Sequence, residues 1–247
     1  MSLFALFYNF ILLVVYIVLT PYLIYKSKSK KYKLAIPAKF FLKNNPKFEK
    51  SGVWFHSCSM GEVRAIKPLI KEFEEESNIS VITNTGFDEA KTICKNVRFL
   101  PFEIFLPFWI TRQKVLVVME AELWYMLFLM AKKKGAKTLL INARISDKSY
   151  KSYLRFRFFY KKIFENIDKV FAQSEVDKQR LQELGAKNVE VIGNIKLAQL
   201  PKRRAFFEKP NITTIVAAST HEGEEELVLN AYNKECGKLS IVLRHPE

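Results

Sequence analysis

Residues 3–23 read LFALFYNFILLVVYIVLTPYL, with no formally charged side chain in the run. At about 1.5 Å per residue a helix over this stretch is roughly 30 Å long, the thickness of a bilayer's hydrocarbon core. The run predicts a membrane anchor. Residues 25–33 follow as YKSKSKKYK, and lysines directly after a span favour the cytoplasmic side. A cleavable signal peptide would place its positive region ahead of the apolar stretch and small residues at a cleavage site, and the sequence has neither. Asn9 and Pro21 interrupt the run and leave a helix lying in the interface as the alternative.

Beyond the anchor about 220 residues remain, enough for one large core or for one domain and part of another. A formal charge of +15 calls for an anionic partner, either nucleic acid or a lipid headgroup surface. Position decides between them. From Lys26 to Lys50 there are nine lysines and one acid, Glu49, all beside the anchor, where each cation attracts an anionic leaflet by about 1 kcal/mol. Membrane is the expected partner, not nucleic acid. Cys58, Cys94 and Cys236 are too widely spaced for a metal pattern or a disulfide framework and read as core or near-core thiols.

Past Lys50 one pattern recurs: a short β-branched run, a polar loop, then a helical stretch. Strands are expected at 53–56, 80–83, 97–100, 115–119, 138–142, 170–173, 189–192, 214–218 and 240–243. Most are apolar on both alternations, as strands covered on both faces should be, which predicts a doubly wound α/β fold. After Gly61 the apolar spacing Val63, Ile66, Leu69, Ile70, Phe73 marks an amphipathic helix, with Pro68 expected to kink it or end its first turn. The domain reading is an anchor at 1–25, a basic juxtamembrane segment at 26–50, an α/β domain at 51–200, a linker at 201–212 and the start of a second α/β domain at 213–247. That last part holds a strand, a helix at 222–236 and another strand, too few elements to close a core, so the chain is expected to stop inside a domain.

In open parallel sheets ligands bind beyond the carboxyl ends of the strands, and the unusual polar residues fall there. The first strand delivers HSCSMGE at 56–62, the second NTG at 84–86, the fourth Glu120 and Glu122, the fifth Asn142 and Arg144. Later strands deliver QSE at 173–175, GNIK at 193–196, STHEG at 219–223 and finally Arg244 and His245. Ser57, Ser59 and Gly61 suit a strand-to-helix loop whose backbone N–H groups approach an anion or sugar. Glu62, in the first helical turn, is the candidate base: the helix terminus and nearby Arg64 are expected to keep it ionised. The competing reading is that Glu62 only complements the helix N-terminus. Strand alternation lets only one of Glu120 and Glu122 face a cleft, and either could be structural. Lys196 suits a phosphate or carboxylate leaving fragment, or is simply solvated. His221 and Glu222 lack a second histidine at i+4, so a zinc-protease pattern fails; Ser219 and Thr220 read there as a helix N-cap. FEIFLPFWI at 102–110 and YKSYLRFRFFYKKIF at 150–164, with five cations among seven aromatic residues, suit nucleic-acid bases or, beside an anchor, rather a lipid interface; the second equally suits a helix with a large core face and a basic outer face.

Taken together, HSCSMGE at 56–62, MEAELW at 119–124, NARIS at 142–146, AQSE at 172–175, LGA at 184–186, GNIK at 193–196, AASTHEGEEE at 217–226 and RHPE at 244–247 resemble, in order, the motifs of the 3-deoxy-D-manno-octulosonic acid (Kdo) transferase family. The resemblance implies a GT-B glycosyltransferase, a Rossmann-like N-terminal domain followed by an incomplete second one, behind a transmembrane helix at the bacterial inner membrane with its catalytic part facing the cytoplasm. It implies transfer of Kdo from CMP-Kdo to a lipid A precursor, lipid IVA, without metal or cofactor. Glu62 would be the general base, with Glu120 and Lys196 stabilising the transition state. Ser57, Ser59, Gly61, Asn142, Arg144, Ser219, Thr220, His221, Leu243 and Arg244 would line the substrates, Arg244 helping to hold CMP. The sequence departs from the family pattern at Leu243, where proline is usual before the arginine, and at Tyr125 and Met126, where the family continues Trp-Pro-Asn. The family's glycine-rich nucleotide loops would lie past Glu247, so the chain alone is expected to bind CMP-Kdo poorly and to transfer little.

Overall fold

The computed structural model describes residues 2–199, 208 and 210–244. Two compact units emerge, 1–200 and 201–247. The first unit runs α1 (Leu3–Ser27), α2 (Ala35–Phe41), β1 (Val53–Ser57), α3 (Met60–Glu72), β2 (Ser77–Val81), α4 (Asn84–Lys91), β3 (Val97–Phe99) and α5 (Leu106–Trp109). It continues with β4 (Val115–Met119), α6 (Tyr125–Lys133), β5 (Lys137–Ala143), α7 (Asp147–Arg155), α8 (Arg157–Phe164), β6 (Lys169–Ala172), α9 (Glu175–Glu183), β7 (Val189–Val191) and a 3-10 turn, Ile195–Gln199. The second unit has β8 (Thr214–Thr220), α10 (Glu224–Ala231) and β9 (Lys238–Leu243). Most of the linker expected at 201–212, and the last three residues of the final motif, lie outside the described residues.

Alternation along β1 and β4 sets up two cores, one on each face of the sheet. Trp54, Leu116, Val118 and Leu140 enter one core with α6, α8 and α9. Val53, Phe55, Val117, Met119 and Ile141 enter the other with α3 and α4. Each such side chain taken out of water contributes roughly 1.5–3 kcal/mol. The seven strands are all parallel, in the order β3-β2-β1-β4-β5-β6-β7, so their carboxyl ends share one edge. The order reverses between β1 and β4, and in doubly wound sheets the crevice at such a reversal is where ligands bind.

Several expectations need correcting. β2 begins at Ser77, three residues early, because its polar start is satisfied from the side: Ser77 Oγ donates to the Phe73 carbonyl at 2.9 Å and Asn78 Nδ2 to Gln113 Oε1 at 2.9 Å. α3 runs unbroken through Pro68; Pro68 and Arg64, whose carbonyl loses its donor, are both on the exposed face, where water can replace the bond. Ser219 and Thr220 belong to β8, and α10 is capped instead by Gly223, whose φ of 89° suits glycine. The 222–236 helix is shorter, α10 followed by a 3-10 turn at Lys234–Cys236. Cys94 is buried and Cys58 half-buried, but Cys236 is exposed.

α1 is long and apolar enough to cross a membrane by length and composition, yet three of its polar side chains bond to other segments of the first unit. Tyr8 Oη donates to Glu103 Oε1 at 2.6 Å, Asn9 Nδ2 to Met126 Sδ at 3.4 Å and Tyr16 Oη to the Phe40 carbonyl at 2.8 Å. Asn9, which as sequence looked like an interruption, is a docking contact.

Glu103 is buried, and its second oxygen accepts the Met126 N–H at 2.6 Å, capping the start of α6 from another segment. Burial lifts its pKa to about 7, against the two hydrogen bonds, which lower it. A carboxyl with a folded pKa above its unfolded value binds more protons when folded, so its contribution is full below about 4.5 and is lost as pH rises to about 7. Glu103→Gln, whose amide can accept from Met126 and donate to Tyr8, is therefore expected to flatten the fall in melting temperature across that window, read by thermal denaturation of the detergent-solubilised chain.

Candidate functional site at the strand-order reversal

β1 ends in Ser57, and Ser59 caps α3: its hydroxyl oxygen accepts the Glu62 N–H at 3.4 Å. Glu62 returns the contact. Its Oε1 accepts the Ser59 hydroxyl at 3.0 Å and its Oε2 the Cys58 N–H at 2.7 Å, a reciprocal cap of the capping-box type. The helix-complementing role is thus real, but it uses only two of the roughly four lone-pair positions of a carboxylate. Glu62 is 9% exposed. Burial raises its pKa, the Cys58 and Ser59 hydrogen bonds lower it, and the charges of Glu120 and Glu122 raise it further. This corrects the expectation that Arg64 holds it ionised: Arg64 Nη2 pairs with Glu89 Oε2 at 2.9 Å instead.

The neighbouring acids come from β4. The strand stops at Met119 and the chain turns at Glu120, whose φ of 54° is in the left-handed region; for a non-glycine residue this costs on the order of 1–3 kcal/mol. Alternation therefore does not extend over residues 120–122, and the rule that only one of the two acids can approach the cleft does not apply. Glu120 Oε1 pairs with Lys196 Nζ at 2.6 Å. Glu122 Oε2 accepts the Trp124 indole N–H at 2.7 Å; burial raises its pKa, the Trp124 and Cys58 hydrogen bonds oppose that, and Glu120 adds to the rise. The same surroundings push the Cys58 thiol up to about 12, burial first and then the charges of Glu122 and Glu62, so it is a neutral wall and not a nucleophile.

Asn142 breaks the β5 register between Leu140 and Ala143, again with φ at 54°. Its Oδ1 accepts the Ile195 N–H at 3.1 Å, which fixes the 3-10 turn that carries Lys196. Ser57 Oγ and Asn142 Nδ2 are buried with no hydrogen-bond partner among the described residues. Such orphans cost about 1–3 kcal/mol each. Arg144 and Glu120 line a cleft of about 300 Å³ with Ser146, Ser149 and Tyr153. A larger hollow of about 1040 Å³, lined by Lys50, Glu76, Lys95 and Lys114, lies at the amino ends of the strands, away from these groups. Gly61 sits in the first turn of α3, where an added Cβ would stand 4.0 Å from Ser59 Oγ.

In the second unit Ser219 takes φ at 62° within β8, where the pairing with β9 shifts between Ala218 and Thr220. Arg244 follows Leu243 at the end of β9; its backbone N–H donates to the Thr220 carbonyl at 3.1 Å and its Nη1 lies 3.0 Å from His221 Nε2. Ser219, Thr220, His221, Leu243 and Arg244 thus gather at the carboxyl ends of the two parallel strands of that unit. Among the described residues no cluster of three or more His, Cys, Asp or Glu side chains is arranged to hold a metal ion.

Sequence reasoning undervalued Gly86. A Cβ there would stand 2.9 Å from Thr83 Oγ1 and 3.3 Å from the Cys58 carbonyl, the group that Thr83 Oγ1 and the Thr83 N–H both donate to. Gly86→Ala is expected to destabilise the chain by about 1–3 kcal/mol and to disturb the loop that holds Glu62, read as a lower denaturation midpoint.

Residues 28–199 match the family model described as 3-deoxy-D-manno-octulosonic-acid transferase (kdotransferase). The chain belongs to this family. A Kdo transferase of Chlamydia pneumoniae is 33% identical over 211 residues, 78% of this chain and 48% of the relative. One of Rickettsia typhi is 30% identical over 249 residues, 91% of this chain and 52% of the relative. A bifunctional glycosyltransferase/methyltransferase of Fusobacterium nucleatum is 32% identical over 218 residues, 78% of this chain and 34% of the relative. This Kdo transferase family chain thus spans between about a third and a half of the length of the relatives it matches.

Proposed function

We propose that this chain supplies the acceptor side and the base of a membrane-attached GT-B Kdo transferase, moving Kdo from CMP-Kdo to a lipid A precursor, lipid IVA, in lipopolysaccharide synthesis. The observation that carries the reading is the meeting of Glu62 and the Glu120–Lys196 pair at the β1/β4 reversal. An acceptor hydroxyl placed at Glu62 gives up its proton to the carboxylate as its oxygen attacks the anomeric carbon of Kdo. The bond from that carbon to the CMP phosphate breaks, and CMP leaves with the electron pair. Lys196, oriented by Glu120, offsets negative charge near the reacting centre. Arg144, on the cleft wall, suits a phosphate of the acceptor, while Ser57, Ser59, Gly61 and Asn142 provide hydroxyl, backbone and amide donors. In the second unit Ser219, Thr220, His221 and Arg244 serve the CMP moiety, with Leu243 setting the approach to Arg244. α1 holds the chain at the cytoplasmic face of the inner membrane.

The test is transfer in the protein's own membranes, chosen because the chain by itself is expected to transfer little, supplied with lipid IVA and either CMP-Kdo or UDP-sugars and read by mass spectrometry of the lipid. A gain of Kdo from CMP-Kdo alone is expected; transfer from a UDP-sugar with none from CMP-Kdo overturns the reading.

A further inference from the structure

The segment 150–164 does have a core face, as Ile163 and Phe164 are buried and Tyr150, Tyr153, Phe159 and Tyr160 pack against the first core, but α7 itself buries none of its residues outright. Where it bends into α8, three large apolar side chains stand in solvent: Leu154, Phe156 and Phe158, the last 66% exposed. Among them are Lys151, Arg155 and Arg157, all exposed, and none pairs with an acid among the described residues. Clustered exposed aromatic rings carry a solvation cost that a partner removes, and aromatic rings mixed with cations suit the boundary between headgroups and acyl chains.

Neighbours on both sides indicate which partner. Phe159, next to Phe158, turns inward and packs 6.4 Å from Phe4 and 5.6 Å from Tyr8. The corner therefore adjoins the amino end of α1, whose outward face carries Phe7, Phe10, Ile17 and Val18 in solvent. At its other end α7 forms part of the cleft wall through Ser149 and Tyr153. One helix thus joins the cleft to an apolar, cationic corner beside the anchor.

We propose that the α7–α8 corner is a second membrane contact, seating Phe156 and Phe158 at the acyl boundary of an anionic leaflet with Arg155 and Arg157 on its phosphates. The inference rests on the reading that α1 sits in the bilayer, and it adds a second attachment that brings the cleft wall to the lipid surface.

The test uses the full chain in vesicles of brominated phosphatidylcholine and phosphatidylglycerol, with Phe158→Trp and, separately, Val18→Trp; both replaced side chains are exposed, so the fold is not at stake. Trp54 and Trp109 are buried, and the unaltered protein gives the background of all native tryptophans. Phe158→Trp emission is expected to fall about twofold further than that background, as for a ring at the acyl boundary, with the effect reduced by adding Arg155→Gln and Arg157→Gln. Quenching of Val18→Trp without quenching of Phe158→Trp overturns the corner contact and leaves the α1 reading standing. Quenching of neither overturns both. A blue shift of Phe158→Trp that needs no vesicles and tracks self-association assigns the corner to a second copy of the chain and overturns the proposal.

Discussion

Glu62→Gln is expected to lower Kdo transfer, measured in the protein's own membranes, by about 10²–10⁴-fold, the span associated with loss of a general base, while the melting temperature hardly moves. The separation of the two readouts follows from the geometry. Glutamine is as good as glutamate at this position of a capping box, so its carbonyl can still accept the Cys58 N–H or the Ser59 hydroxyl that Glu62 accepts now. What it lacks is the ability to take a proton. Ser59→Ala is the contrast: it removes the N-cap at a cost of about 1 kcal/mol but leaves the carboxylate in place, so stability falls while transfer falls far less than in Glu62→Gln. The pH dependence adds a sign. Burial and the nearby Glu120 and Glu122 raise the Glu62 pKa, and a base works only when deprotonated. The acid limb of the rate should therefore lie above the ordinary carboxylate range, rising with pH, and should be absent from whatever activity Glu62→Gln retains. A full rate in Glu62→Gln would reduce Glu62 to a helix cap and remove the chemistry assigned to this rim.

How much of this was legible in the sequence varies with the physics behind each element. Strands covered on both faces announce themselves as continuous β-branched runs, so β1, β4 and β5 are found close to their true bounds. β2 is displaced because Ser77 and Asn78 are polar residues that burial tolerates only through specific side-chain partners, and no periodicity reports those. Placing the candidate acids at strand ends needed only the parallel arrangement. Their mutual geometry needed more: the turn at Glu120 rests on a left-handed backbone in a residue with no general preference for it, so an alternation rule has no basis past Met119. Glu62 had two readings in the sequence, cap or base, and the structure gives the cap outright while leaving the carboxylate with lone pairs to spare. Glu103 was invisible, since its partners Tyr8 and Met126 are 95 and 23 residues away.

Lys196→Met is expected to cost about 10²–10³-fold in kcat, the scale for removing one preorganised group from developing charge, with little loss of stability because the lysine side chain is 44% exposed. The alternative, that Lys196 is only a solvated cation with a chance partner, predicts no change in rate. The structure supplies a sharper discrimination through Glu120. Its carboxylate lies 2.6 Å from the ammonium, and the backbone beneath it is held strained by the Glu120 N–H, which donates to the Ile141 carbonyl at 2.9 Å. Asn142 steers the other side of the pair, because the Ile195 N–H it accepts directly precedes Lys196. If the pair acts as one unit, Glu120→Gln and Lys196→Met each disable it, and the double variant should be little slower than the slower single one. Independent roles would instead give multiplied losses. Asn142→Ala tests the same linkage from a distance: it leaves both charges in place, removes the acceptor that positions the turn, and should lower kcat through Lys196 without further effect once Lys196 is already methionine.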